Sequence, residues 1–264
     1  MYSLSFINWG ISPEIFSLGF LTLRWYGLLF AAGFVIGYRI MEWIFKVENI
    51  DIKILDSLTM TMVFSTVIGA RLGHCLFYSP EYYLLNPIEI LKVWEGGLAS
   101  HGAAFGIIIG LFIFAKRFPD IKYLWILDRI VITIALAGFF IRMGNLMNSE
   151  IYGLPTEQPW AFIFENIDNI PRHPTQIYEA LSYLAIFIFL FLKYKKEKVD
   201  IIAGKLFGYF LMLVFGARFI IENLKENQVP FEDILPINMG QILSIPFILV
   251  GVYFSFIYKN NKST

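Results

Sequence analysis

Charge is scarce in this chain, and so is cysteine. Only 16% of the 264 residues are charged, the formal net charge is zero, and there are one cysteine and three histidines. A balanced charge with no basic or acidic tail leaves no footprint for a nucleic-acid partner. The lone Cys75 sits inside an apolar stretch without a mate in the chain, so it reads as core and is silent about compartment. Met1 to Phe20 lacks the basic start and small-residue cleavage site of a signal peptide, so the first hydrophobic segment is expected to be retained. Also missing are a Gly-x-Ser-x-Gly elbow, a His-Glu-x-x-His helix, a phosphate-binding glycine loop and any Cys/His cluster. Hydrolase, zinc-protease and ATP-driven readings therefore lack support, no metal site is expected, and the chemistry is expected to need no cofactor.

What is abundant is apolar surface. The chain is 57% hydrophobic and 18% aromatic, with a mean hydropathy of +0.63, well above ordinary soluble domains. A bilayer core about 30 Å thick needs roughly 20 mostly apolar residues per helix. Apolar runs bounded by Pro, Gly and charge predict seven spans, near Thr22 to Phe45, Ile54 to Tyr78, Gly97 to Phe114, Leu124 to Ile141, Thr175 to Leu192, Ile201 to Ile221 and Met239 to Tyr258. The expected fold class is an all-α integral membrane protein, one polytopic domain over residues 1–264 with no internal repeat. Residues 142–174 are expected to form a small extracytoplasmic insertion between helices four and five.

Basic residues fall at alternate joints. Lys46 and Lys53, then Lys116, Arg117 and Lys122, then Lys193, Lys195, Lys196, Lys198 and Lys205, then Lys259 and Lys262 mark one side, which the positive-inside rule makes cytoplasmic. The opposite joints are poor in lysine, which predicts the N-terminus outside and the C-terminus in the cytoplasm. The polar residues that a membrane helix disfavours are Arg24 and Tyr26, Arg71 and His74, His101, Arg142 with Asn145 and Asn148, His173 with Gln176 and Glu179, Arg218 and Glu222, and Gln241. All are expected at the outer ends of their spans. Helices one, two, four and six are expected to reach that end with their C-termini, and three, five and seven to begin there.

Four outer arginines run against the charge bias, and a buried cation costs at least a few kcal/mol. A lipid phosphate would offset that cost through paired hydrogen bonds to Arg; snorkelling or pairing with a carboxylate would also do so. Arg142, Asn145 and Asn148 recur at a three-residue spacing, which puts one charge and two amides on one helix face. His101, flanked by Gly97, Gly102 and Gly106, is a candidate general base because its ordinary pKa lies near neutrality, or else an interhelical hydrogen-bond partner. Arg218 and Glu222 are four residues apart and suited to pair, statically or with Arg218 alternating between Glu222 and a phosphate. His173 and Gln176 begin a helix and either line the site or cap it. Gly69 and Gly73 bracket Arg71 in a small-xxx-small pattern that suits helix packing. Trp25, Tyr26 and Trp94 read first as interface anchors.

The run from Arg142 to Gly153, Arg-Met-Gly-Asn-Leu-Met-Asn-Ser-Glu-Ile-Tyr-Gly, resembles the signature of the prolipoprotein diacylglyceryl transferase family, Gly-Arg-x-Gly-Asn-Phe-x-Asn-x-Glu-x-x-Gly. Arg24-Trp25-Tyr26-Gly27, Gly69-Ala70-Arg71-Leu72-Gly73, the glycines around His101, His173-Pro174-Thr175-Gln176, Arg218-Phe219 with Glu222, and Met239 to Pro246 also resemble family segments in family order. Ile141, Leu146, Ala103 and His74 depart from the pattern without removing a polar group that the site would use.

The resemblance implies that the thiol of a lipobox cysteine, in a prolipoprotein signal peptide, attacks the glyceryl carbon of phosphatidylglycerol and releases glycerol phosphate. It implies a multi-pass protein of the bacterial plasma membrane, with its active site toward the extracytoplasmic side and membrane lipids as its surroundings. His101, Arg142 and Arg218 are the candidate catalytic residues, with Tyr26, Arg71, Arg142, Asn145, Asn148, Gly153, Gln176 and Glu222 as candidates for substrate binding. The rival reading is a transporter of an anionic lipid or small molecule. That class places its site near the midplane between inverted repeats, which the one-sided cluster and absent repeat do not resemble.

Overall fold

In hydrocarbon the backbone of an apolar run has no partner but itself, so the run must coil into a helix. The computed structural model, which describes residues 6–19, 21–93, 96–97, 99–226 and 237–258, is accordingly built mainly of helices. In chain order the elements are β1 (Ile7–Trp9), β2 (Glu14–Leu18), β3 (Leu21–Arg24), α1 (Trp25–Val47), α2 (Ile52–Phe77), the short α3 (Pro80–Leu85), α4 (Ser100–Arg117), α5 (Tyr123–Met147), β4 (Phe162–Phe164), β5 (Pro171–Arg172), α6 (Thr175–Glu197), α7 (Lys205–Ile221) and α8 (Met239–Val252). Among the described residues six helices, α1, α2, α5, α6, α7 and α8 with their terminal turns, are long and apolar enough to cross a membrane. The third expected span corresponds to α4, an eighteen-residue helix outside that set. Trp94, Lys259 and Lys262, used in the sequence reading, lie outside the described residues.

The chain divides into two compact units, one of Met1–Met41 with Leu127–Thr264 and one of Glu42–Ile126. In the first unit, neighbouring helices alternate in direction. Gly33 and Gly37 of α1 lie against Ala137 and Thr133 of α5, so these two run antiparallel. At the start of α5, Asp128 and Arg129 are fully buried. The Asp128 carboxylate accepts from the backbone N–H groups of Gly204 (2.7 Å) and Phe207 (2.9 Å). It thereby satisfies donors that the first turn of α7 cannot pair itself. Arg129 lies 3.9 Å from Asp128 and over the Tyr194 ring. This pair corrects the expectation that every intramembrane polar group lies at the arginine end, since it sits at the opposite end of α5. A charge that the protein itself neutralises needs no ligand.

The segment expected as an insertion is more elaborate than a loop. α5 continues to Met147, so Arg142 and Asn145 belong to the helix. Beyond it, β4 pairs antiparallel with β5 and parallel with β1 from the N-terminus. Leu146, Phe162 and Phe164 are buried together with Trp9, Met143, Tyr152 and Ile177 around them, and the Trp9 indole donates to the Leu146 carbonyl at 3.0 Å. The N-terminal residues thus close over the end of α5. β2 and β3 form a separate antiparallel hairpin leading into α1.

In the second unit α2 and α4 pack backbone against backbone. A methyl group added at Gly73 would lie 2.6 Å from the Gly102 Cα, and one at Gly69 would lie 2.5 Å from the Gly102 carbonyl oxygen. The small-residue pattern is therefore a packing seam, as its spacing suggested. Cys75 is buried and free. Phe45 meets Trp125 edge to face, and the Trp125 indole donates to Glu48 at 2.7 Å.

A side chain at Gly102 would run into the Gly69 carbonyl, which as backbone cannot rotate away. Gly102→Ala is expected to lose about 1–3 kcal/mol to overpacking against at most about 1 gained in helix propensity, so thermal unfolding in detergent should shift downward. Gly216→Ala, whose added methyl meets nothing within 4 Å, should leave the transition unchanged or raise it.

Candidate active site

In the first unit five helix ends meet. The Tyr26 ring in the first turn of α1 lies over Gly144 near the end of α5, where an added methyl would sit 2.7 Å from it. α1 therefore arrives with its N-terminus, not with the C-terminus expected. The reason is local: the β2–β3 hairpin places Arg24 and Tyr26 before and within the first turn of the helix. The start of α6 brings Gln176 and Glu179, the end of α7 brings Arg218, and the start of α8 brings Gly240 against Glu222.

Through the middle of this junction runs a row of alternating charges. Arg142 Nε lies 2.9 Å from Glu179 Oε2. Lys225 Nζ lies 3.1 Å from Glu179 Oε1 and 3.2 Å from Glu222 Oε2. Arg218 Nε lies 3.7 Å from the same Glu222 oxygen. Side-chain exposure is 0% at Glu179, 3% at Lys225 and 9% at Glu222, rising to 13% at Arg142 and 38% at Arg218. The carboxylates and the lysine are the sealed centre, and the arginines are the ends that water or a ligand can reach. Arg142 and Glu179 are close but poorly aligned, for Glu179 Oε2 has no hydrogen-bond partner of good geometry among the described residues. Arg142 also bonds the Tyr183 hydroxyl.

The amides read from the three-residue spacing continue the row. Arg142 Nη1 donates to Asn145 Oδ1 at 3.2 Å, and Asn145 and Asn148 both donate to Glu150 Oε1, at 2.7 and 3.3 Å. Buried Asn148 Oδ1 and Gln176 Oε1 have no hydrogen-bond partner among the described residues. The turn they line is strained: Ser149 and Ile151 both take positive φ, 53° and 58°, a conformation costing about 1–2 kcal/mol per residue and rare for a β-branched side chain. The start of α6 holds it in place. Gln176 Nε2 donates to the Glu150 carbonyl at 2.7 Å and Thr175 Oγ1 to the Ile151 carbonyl at 2.9 Å. Gly153 is buried because its backbone passes between His173, Thr175 and the Leu224 carbonyl, where no Cβ fits. His173 stands beside this seam. Its Nδ1 lies 3.1 Å from the Tyr178 hydroxyl, which in turn accepts from the Trp160 indole at 2.8 Å, and burial holds its pKa below the ordinary histidine value. Gln241 caps α8 with Asn238 and donates to the Phe219 carbonyl at 3.1 Å.

The four arginines sort into distinct surroundings. Arg142 and Arg218 are the ends of the row. Arg24 is exposed and paired with Glu14 across the hairpin at 3.3 Å. Arg71, in the second unit, is buried and donates to the carbonyls of Ile90 (3.0 Å), Gly96 (2.7 Å) and Glu89, with the Tyr83 ring beneath it. Its donors hold the stretch before α4 and are already engaged. In the same unit His101 is exposed and stacks on Tyr78, which also stacks on His74.

Sequence reasoning missed Lys225, Tyr183 and Arg172 and did not place Glu179 among the site residues. Lys225 was legible as the single lysine of the Glu222 to Asn238 joint, on a lysine-poor side and seven residues after Arg218. Arg172 joins Asp168, Glu226 and the Tyr152 ring, and its hydrogen bond holds the Asp168 carboxyl below the usual range.

With this geometry in hand, the chain was compared with known proteins. The sequence profile of the prolipoprotein diacylglyceryl transferase family matches residues 13–257. Three relatives carry the name phosphatidylglycerol–prolipoprotein diacylglyceryl transferase. That of Tolumonas auensis is 47% identical over 97% of this chain and 98% of its own length. That of Chloroherpeton thalassium is 46% identical over 97% and 96%, and that of Bacteroides fragilis 42% over 97% of both.

Arg71→Lys keeps the charge but loses the fork, and each charge-assisted bond lost is worth about 1.5–3 kcal/mol, so the unfolding midpoint should fall clearly in a thermal melt. For His173 the depressed pKa means that the unfolded chain binds the proton more readily. Its contribution is intact above about pH 6.5 and is lost as pH falls toward the folded value. His173→Gln should flatten stability against pH in that window.

Proposed function

The chain belongs to the prolipoprotein diacylglyceryl transferase family, and from that premise we propose how its residues carry out the reaction. It is a membrane transferase of lipoprotein biosynthesis that moves a diacylglyceryl group from phosphatidylglycerol to prolipoproteins. In the reading we favour, the acceptor is the thiol of a lipobox cysteine. A base takes the thiol proton, the sulfur bonds to the glyceryl carbon, and the bond from that carbon to the phosphate oxygen breaks. The electron pair leaves with glycerol phosphate.

A free thiol with a pKa near 8.5 is only a few per cent thiolate at neutral pH. His101, exposed at the start of α4, is the base of this proposal. As the ester bond breaks, a phosphodiester monoanion becomes a monoester approaching two negative charges. Cations that meet that added charge bind the transition state better than the substrate. The observation that carries this part is the row itself: its buried centre is carboxylate and lysine, and its two accessible ends are Arg142 and Arg218. The Arg218–Glu222 pair is long at 3.7 Å, which suits an arginine that turns from Glu222 to a phosphate. Tyr26, Asn145 and Asn148 orient Arg142 and the headgroup, while Gln176 and Gly153 hold the strained turn beside them. Arg71 acts on the chain before α4 and not on the lipid.

We further take α4 as a seventh span, the N-terminus as external and the C-terminus as cytoplasmic, in a bacterial plasma membrane. The last turns of α1, α4 and α6 carry Lys46, Lys116 with Arg117, and Lys195 with Lys196, which by the positive-inside rule favours a cytoplasmic position. That leaves the arginine end of the first unit toward the outer leaflet.

The test is thioether formation, read as a mass shift when purified protein meets phosphatidylglycerol and a lipobox peptide. Wild type should yield the diacylglyceryl adduct. Arg142→Ala should lower the rate by about 10²–10³, as when one preorganised donor to developing charge is removed, and His101→Ala by about 10²–10⁴. An undiminished rate in folded Arg142→Ala would refute the clamp. No adduct from folded wild type would return attention to transport.

A further inference from the structure

Lys225 is the one member of the row that neither the chemistry above nor the sequence reading uses, and it is the most enclosed of its cations. We infer that Lys225 is a positioning residue that sets the charge of the phosphate site, sharing Glu179 with Arg142 and drawing Glu222 away from Arg218 so that the row can accept an anionic lipid headgroup. This rests on the reading of Arg142 and Arg218 as the phosphate clamp.

The arithmetic is simple. Without Lys225 the row would be two arginines and two carboxylates, each arginine matched by its own glutamate and the sum zero. With it, three cations face two carboxylates and the row carries +1. Including Glu150, which is exposed and held by the amides of Asn145 and Asn148, the count moves from −1 to 0. In either count, loss of Lys225 turns the site against an anion. In a low-dielectric surrounding, one unit of charge a few ångströms from an anion shifts its binding far more than it would in water.

The geometry fits this role better than a direct contact would. Lys225 Nζ takes Glu179 Oε1 while Arg142 approaches Oε2, and it lies nearer Glu222 Oε2 than Arg218 does, 3.2 Å against 3.7 Å. Both arginines are thus left with a shared carboxylate. The backbone fixes the lysine. Lys225 bridges Gly153, the Leu154 N–H donates to the Leu224 carbonyl at 2.8 Å, and the Lys225 N–H to the Glu222 carbonyl at 3.2 Å. The strained turn and the end of α7 therefore hold the ammonium between the carboxylates.

The experiment measures KM for phosphatidylglycerol in mixed micelles at saturating lipobox peptide. Lys225→Met should raise it about tenfold or more, and Lys225→Arg should stay within about threefold of wild type. The deciding variant is Lys225→Met with Glu222→Gln. Two arginines against Glu179 restore the row to +1, so KM should return to within about threefold of wild type. A role that is only structural predicts the opposite, since two members of the network are then lost. The inference is overturned if Lys225→Met stays within threefold, or if the double variant is no better than the single. Should Lys225→Met fail to fold, the double variant against wild type decides by the same threefold limit. Arg142→Ala is run alongside. If it is unimpaired, the clamp reading fails and takes this inference with it; if it is inactive while Lys225→Met is normal, only the inference fails.

Discussion

Two buried carboxylates shared among three cations govern the first unit. A single charge in hydrocarbon costs a few kcal/mol or more, and a buried pair is favourable only where geometry and further hydrogen bonds repay desolvation. Glu179 begins α6, Glu222 ends α7, Arg142 ends α5, and Lys225 lies where the chain leaves α7 and meets Gly153. No one of these groups is tolerable alone, so the helix ends that carry them must come together. The Tyr26 ring over Gly144 and the close approach of Gly240 to Glu222 bring α1 and α8 to the same place.

The irregular backbone around the row follows from it. A chain that passes from α5 to α6 beside buried ions cannot leave its carbonyls unpaired. Gln176 and Thr175 take those of Glu150 and Ile151, and His173 and Leu224 carbonyls take the N–H groups of Gly153 and Leu154. The left-handed Ser149 and Ile151 are strained because this is the path that lets Glu150 meet Asn145 while its own carbonyl meets Gln176. Strain of this kind persists only where the surroundings over-determine it. Arg71 does comparable work in the second unit, turning one guanidinium toward the carbonyls of Glu89, Ile90 and Gly96. A polar side chain near a span end can thus serve substrate, backbone or another charge, and its type does not say which.

Much of the molecule was legible beforehand. Apolar runs predicted the six helices long and apolar enough to cross a membrane, with ends off by up to about six residues, because hydrocarbon leaves the backbone no alternative to the helix. Glycine spacing foretold close helix packing at Gly69 and Gly73 without naming the partner helix, and the Arg142, Asn145, Asn148 spacing foretold a polar face. Less legible was the parallel pairing of β1 with β4, since it depends on strands of two to three residues, whereas the direction in which α1 arrives was already implied by an external N-terminus. Asp128 and Arg129 went unremarked because adjacent opposite charges in a span look like an interruption until the capping of α7 is seen.

By itself the sequence determined a helical membrane protein with its candidate site residues in a few separated motifs, because hydrophobic run length and residue type are properties of the chain that no folding can change. Only the tertiary structure decided which arginine holds a hairpin, which holds a loop and which two flank a shared lysine. Those roles depend on which carboxylate or carbonyl lies within about 3 Å, the range over which a charge-assisted hydrogen bond forms. Residues as far apart in the chain as Arg142, Glu179 and Lys225 acquire that proximity only when the helices meet.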